Sequence, residues 1–101
     1  LPISAVTTFL DTMLRAPQQT TRFENVVLHQ DSPAAGKTLK ELDILTRTGL
    51  LVVATVKADG AIRYNPTADI RIMGGDAVVV IASPEQKKKL ASVLNGEAAA
   101  S

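Results

Sequence analysis

The chain has no cysteine, which removes disulfides, thiolate metal sites and cysteine nucleophiles together and leaves its compartment unread by redox chemistry. It has no tryptophan and only 3% aromatic residues, against 46% hydrophobic residues drawn mostly from Val, Leu, Ile and Ala, so an aliphatic α/β core is expected. With one histidine, His29, it lacks the means for a histidine-based metal cluster or a histidine pair, and His29 is read as structural. Excess charge is missing too. Eleven basic and 10 acidic side chains leave +1, too small a field to gather nucleic acid or anionic lipid, so no nucleic-acid partner is expected. The longest apolar run, 50–56, is far short of the roughly 20 residues a membrane-crossing helix needs, and no signal peptide opens the chain. As it stands the polypeptide is expected to be soluble.

What is present suits one small domain, since 101 residues bury only about two-thirds of their extended surface on folding. Ile3, Val6, Phe9, Leu10, Met13 and Leu14 fall on one face of a helix that Pro17 ends. The polar run Gln18 to Arg22 separates this helix from the rest. Because the pattern is already running at the first residue, the helix is expected to come from a larger protein and to dock on a part of it. Phe23 to His29 reads as a strand, and Asp31, Ser32, Pro33 and Gly36 as a loop. Thr38 with Glu41 matches a capping box opening a short helix whose Leu39 and Leu42 face the core and which Gly49 closes.

The run 50–56 is nearly all apolar and β-branched, the pattern of a central strand covered on both faces. Asp59-Gly60 then predicts a tight hairpin to Ile62–Asn65, with positive φ angles in its turn, and Pro66 breaks that second strand. Asp69 to Met73 alternates briefly, Gly74-Gly75-Asp76 turns the chain, and Ala77 to Ala82 forms a further apolar strand. Ser83-Pro84-Glu85-Gln86 combines an N-cap serine, a proline at the first helical position and a capping-box glutamine. A helix to about Asn95 follows, with Leu90, Val93 and Leu94 as its buried edge. The fold class is therefore α+β: a small, mostly antiparallel sheet, a short helix after the first strand, and a C-terminal helix. Residues 97–101 are assigned to a flexible tail.

Several fragments of catalytic motifs do not survive comparison with the chemistry they would serve. Ala35-Gly36-Lys37-Thr38 matches the close of a phosphate-binding loop, but Asp31 stands where the first glycine is required, and a carboxylate there repels phosphate. Asp31, Asp43, Asp59, Asp69 and Asp76 lie on separate turns, where turn and cap chemistry accounts for them better than a metal site does. Ser32 and Ser83 lack a nucleophile elbow. Lys87-Lys88-Lys89 reads as a solvated helix face. No catalytic, cofactor-binding or metal-ligating residue is assigned, and an enzyme is not expected.

Val26-Val27-Leu28, Ser32-Pro33, Gly36-Lys37-Thr38-Leu39-Lys40-Glu41-Leu42, Val52-Val53-Ala54, Asp59-Gly60, Asn65-Pro66 and Gly75-Asp76 with Val78-Val79-Val80-Ile81 together resemble the TrkA-C, or RCK-C, family over residues 23–95. The resemblance implies a TrkA-C lobe at 18–96. The opening segment 1–17, with Pro2, Leu14-Arg15 and Pro17, looks like the crossover helix that in RCK channel subunits joins the nucleotide-binding lobe to this one. It implies a homodimer through this lobe and, as further partners, an N-terminal nucleotide-binding lobe and a membrane-embedded potassium pore or transporter. The lobe is then expected at the cytoplasmic face of the cell membrane, sensing a ligand and gating potassium transport allosterically, in a channel rather than a transporter.

Some members bind cyclic di-AMP at the dimer interface and others respond to divalent cations, so a cyclic dinucleotide or a divalent cation is the candidate ligand, with no cofactor in this lobe. The cyclic-dinucleotide binders tend to carry an arginine directly after the "ELDI" stretch. Here Leu45 holds that position, with Arg47 two residues on as the substitute and Leu51, Val52 and Pro66 as apolar walls of the interface pocket. Two other readings stand beside this one: a purely structural dimerisation domain, and a TrkA-C module that regulates a different solute transporter.

Overall fold

The computed structural model describes residues 4–15 and 21–96. In chain order the elements are α1 Ala5–Arg15, β1 Arg22–Val27, β2 Lys37–Thr38, α2 Leu39–Leu42, α3 Ile44–Thr48, β3 Val52–Val56, β4 Ile62–Tyr64, β5 Arg71–Ile72, β6 Ala77–Ala82 and α4 Pro84–Asn95. β6 alternates half-buried and buried residues along its whole length, and it sits inside an antiparallel four-stranded sheet of order β1-β6-β3-β4. β2 and β5 pair separately as a two-stranded sheet, Lys37 opposite Ile72.

Alternation along the strands decides which side chains meet. Val26 opposes Val78, and Glu24 opposes Val80, in β1 and β6. Val78, Val80 and Ala82 turn to one face, where Leu90 and Leu94 of α4 cover them, and Val26, Leu28, Leu42, Ile44, Leu50 and Ile72 complete the core. Phe9 of α1 meets Phe23 at the border of the opposite face, ring centroids 5.8 Å apart and edge-on at 89°.

α4 begins as its sequence predicts. Ser83 accepts a hydrogen bond from the Gln86 amide, Gln86 Oε1 accepts from the Ser83 amide at 2.9 Å, and Pro84 occupies the first turn. Its far end is bolted to the chain after β1. The Asn95 side chain accepts from the His29 amide and donates to the Val27 carbonyl, while the buried Ser32 hydroxyl donates to the Leu94 carbonyl. Lys87 reaches Glu24 of β1 at 3.4 Å, so this one lysine of the 87–89 run is tied to the sheet while Lys88 and Lys89 stay exposed.

Four local expectations need correction. The helix expected to run from Thr38 to Gly49 is two helices, because Asp43 adopts a left-handed φ of 49°. β2 was not expected; it exists because β5 pairs with it, a partner more than thirty residues away in the chain. In the hairpin turn only Gly60 has positive φ; Asp59 instead accepts the Ala61 amide at 3.0 Å. The run 50–56 is not strand throughout: β3 begins only at Val52, and within it the adjacent Ala54 and Thr55 are both buried. Val53 is an extra residue between the Val52–Val80 and Ala54–Val79 pairs, a bulge that breaks alternation, and Leu51 lies exposed just before it.

The turn into β6 explains its two glycines. A Cβ on Gly74 would lie 2.8 Å from Gln30 Oε1 and 2.9 Å from Gln30 Cα, and Gly75 has φ +88°. Asp76 follows, 4% exposed. Its carboxylate accepts from the Met73 amide at 2.9 Å, the Lys57 ammonium at 3.0 Å and the Ala58 amide at 3.1 Å. That single side chain ties the β3–β4 hairpin to the β5–β6 turn. Burial alone would push its carboxyl up; the Met73 amide, the Lys57 ammonium and the Ala58 amide outweigh burial and hold it below the usual carboxylate range.

Among the described residues no helix is long and apolar enough to cross a membrane. Pro17, expected to end the first helix, and the tail 97–101 lie outside the described residues.

Candidate functional site

The loop that resembles a phosphate cradle has spent its amides. Gly36 N–H donates to the Ile72 carbonyl at 2.6 Å and Lys37 N–H to the Ala34 carbonyl at 3.1 Å. Thr38 and Glu41 form a reciprocal capping box, Thr38 amide to Glu41 Oε1 at 2.9 Å and Glu41 amide to Thr38 Oγ1 at 3.2 Å. Those hydrogen bonds, the backbone one first, hold the exposed Glu41 carboxyl below its ordinary value. The turn-and-cap reading of this stretch is the one the structure shows.

α2 is strapped in place from a distance. Leu39 N–H donates to the Ile70 carbonyl at 3.0 Å and Lys40 N–H to the Ala68 carbonyl at 2.9 Å, so the chain after Pro66 runs across the start of the helix. At the other end, Thr48 Oγ1 donates to the Ile44 carbonyl at 2.7 Å and accepts the Leu50 amide at 3.2 Å. Gly49 closes α3 with φ 76°. This turn sends Leu50 into the core and throws Leu51 outward, 66% exposed.

Between the strap and the turn lies an open hollow of about 280 Å³. Leu45, Leu51, Val52 and Pro66, four of the five residues singled out in the sequence, line it together. Arg47 does not: its guanidinium donates to the Leu42 carbonyl at 3.3 Å, beside α3. Leu39, Lys40, Asp43, Ile44, Leu50 and Ala68 complete the lining, and sequence reasoning did not single them out. Lys40 is the only cation among them. A helical period would have found it, since Lys40 and Ile44 are four residues apart, but only for a reader who took the two short helices as one face. Ala68 carried no signal, because the strap that brings it there is set by hydrogen bonds to α2.

The hollow is open and apolar at its mouth. Leu45 is 54% exposed at its rim, beside the still more exposed Leu51, and apolar side chains presented together at a concave mouth are better served by a covering surface than by water. Among the described residues no group of three His, Asp or Glu side chains is arranged to hold a metal ion. The aspartates serve turns instead, Asp59 in the hairpin, Asp69 with the Thr67 hydroxyl and Asp76 between two loops.

A family model, the TrkA-C domain, matches residues 23–95, and the chain belongs to that family. Among curated proteins none matches the sequence. Solved structures do. The RCK_C domain dimer of S. agalactiae BusR in complex with c-di-AMP aligns with TM-score 0.64 and 21% identity over 70% of this chain and 92% of that one. The RCK C domain of the potassium transport protein KtrA, in complex with c-di-AMP, aligns with TM-score 0.67 and 18% identity over 87% and 98%. The GsuK channel gives TM-score 0.61 and 22% identity over 86% of this chain but 17% of its own. Against S. agalactiae BusR in complex with its busAB-promotor DNA, the chain spans 47% of that chain. These likenesses establish an RCK_C fold, α+β with a small antiparallel sheet, that spans a minor part of the longer proteins.

Proposed function

We propose that this chain is the ligand-sensing and pairing lobe of an RCK-type regulator of potassium transport, with no catalytic role of its own. The carrying observation is the half-built hollow, whose Leu45 and Leu51 rim a second copy would cover. Leu45, Leu51, Val52 and Pro66 form the apolar walls. Lys40 is the one cation in the lining and faces an anionic ligand beside the opposing charge of Asp43, and Arg47 joins only by leaving the Leu42 carbonyl. A ligand closed between two copies regulates through its different affinity for two arrangements of the assembly, so coupling is the output. Segment 1–17 acts as the crossover to a preceding nucleotide-binding lobe, 18–96 is the sensing lobe, and 97–101 takes no part.

Cyclic di-AMP is the first ligand to test, because RCK C domains of this fold have been seen with it. Sedimentation of the 101-residue chain is expected to show a dimer, and saturating cyclic di-AMP is expected to raise its melting temperature, by about 2.7 kcal/mol of added stability at a hundredfold excess over Kd. Leu51→Glu is expected to abolish both. A chain that stays monomeric at every concentration sinks the proposal, while a dimer indifferent to ligands, divalent cations included, turns it into the purely structural alternative.

The parent system is a separate question with a direct answer in the preceding sequence. A nucleotide-binding lobe preceded by membrane spans with a selectivity-filter loop makes it a channel, such a lobe without spans a regulatory subunit, and many spans without a filter another solute transporter. The near-neutral charge of this lobe supports a partner other than nucleic acid; since BusR has been seen in complex with promotor DNA, a DNA-binding segment elsewhere in the whole protein would reverse that.

A further inference from the structure

A second hollow, of about 610 Å³, lies between the edge of the four-stranded sheet at β4 and the small sheet at β5. It shares no lining residue with the first. Three cations line it, Lys57, Arg63 and Arg71, with Ile62 and Ile70 as apolar walls and the buried Thr55 among the rest. No acidic side chain does.

The hairpin brings the first two cations together. Arg63 stands opposite Thr55, and the Lys57 amide donates to the Ala61 carbonyl at 2.8 Å, so Lys57 and Arg63 project from one face of the ribbon. Arg71 arrives from β5, held by donation to the Gly36 carbonyl and lying 4.0 Å from Glu41. Lys57 is held by Asp76 at 3.0 Å. Arg63 is different: it makes no hydrogen bond or close ion pair among the described residues and acts on Asp69 only through its field. Two cations are thus already engaged by groups outside the lining and Arg63 alone is uncommitted, beside a space large enough for a small organic molecule.

We propose that this hollow binds a phosphorylated small molecule. Guanidinium forks match the spread oxygens of a phosphoryl group, and an anion is what a lining with three cations and no carboxylate favours. Arg63 is the anchoring residue, Arg71 and Lys57 add charge where their present partners release them, and Ile70 offers an apolar contact for the carbon skeleton.

Titration of the 101-residue chain with pyrophosphate, followed by amide NMR shifts at low salt, tests this. Saturable shifts are expected at Thr55, Arg63 and Arg71, weakening as salt rises. Arg63→Gln, an exposed edge-strand change, is expected to raise Kd at least about tenfold, with partial recovery in Arg63→Lys. Vesicles of phosphatidylcholine with phosphatidic acid are expected to leave the protein in the supernatant. Shifts that are absent, that gather on Lys88 and Lys89 instead, or that are unchanged in Arg63→Gln overturn the proposal. So does vesicle binding through Arg63 that pyrophosphate fails to displace, since the occupant is then a lipid headgroup.

Discussion

Among the described residues two capping boxes, Thr38 with Glu41 and Ser83 with Gln86, have the same chemistry and opposite outcomes. The second heads the twelve residues of α4, whose Leu90 and Leu94 are sealed in the core. The first heads four residues, stops at a left-handed Asp43, and leads into an α3 that holds Leu45 out to solvent. A cap begins a helix; what the helix then meets decides how far it runs. α4 meets β1, β6 and the inner side of α3, whereas α2 and the outer side of α3 bend around the strap at 68–70 and leave a concave surface. The closed end of the molecule holds the fold, and the open end holds the candidate site.

The largest effect that tests this contrast is Leu94→Ala against Leu51→Ala. Leu94 is 0% exposed, and its truncation is expected to cost about 2–5 kcal/mol in chemical denaturation. Leu51→Ala is expected to change the same midpoint by less than about 0.5 kcal/mol when measured on monomer, yet to weaken pairing. Equal losses of stability from the two would mean that the open end is core, and the contrast would be gone.

Asp76, whose partner Lys57 lines the second hollow, joins the β3–β4 hairpin to the turn before β6. Its replacement by Ala strands the Met73 and Ala58 amides and the Lys57 ammonium, for an expected loss of about 3 kcal/mol. The same carboxylate gives a pH signature. Its folded value lies below its ordinary 3.8, so its contribution is fully present above that value and is lost as pH falls through the folded one. The melting temperature is expected to drop below about pH 4, and Asp76→Asn is expected to start lower and flatten that drop. An acid limb as steep in Asp76→Asn as in the parent would assign the sensitivity to other carboxylates.

Much of the closed end was legible because its signals are local. Ser83-Pro84-Glu85-Gln86 specifies α4 within four residues, Asp59-Gly60 the hairpin, and the apolar alternation of 77–82 its strand. The open end was legible in its residues but not in its shape. Leu45, Leu51, Val52 and Pro66 do share a hollow, yet the strap that sets Pro66 there depends on the Lys40 amide finding the Ala68 carbonyl, a bond with no mark in either sequence segment. Asp43 hid the break in the helix, since aspartate is common within helices and adopts the left-handed region only occasionally. The second hollow was invisible for the same reason: Lys57, Arg63 and Arg71 are unremarkable until two sheets bring them together.

The smallest effects concern the caps themselves, and their location matters more than their size. Removing either hydroxyl is expected to cost about 1 kcal/mol where the helix it heads is part of the cooperative core. Ser83→Ala should therefore lower global stability by that amount, because α4 cannot loosen without uncovering Val78 and Val80. At α2 the Leu39 and Lys40 amides already have carbonyl partners in the strap, so Thr38→Ala orphans chiefly the Glu41 amide. Its global cost is expected to be the smaller, with the loss appearing instead as faster hydrogen exchange confined to 41–43. Exchange that quickens across α4 as well would show that the two ends open together, and a ligand seated at the open end would then be felt throughout the lobe.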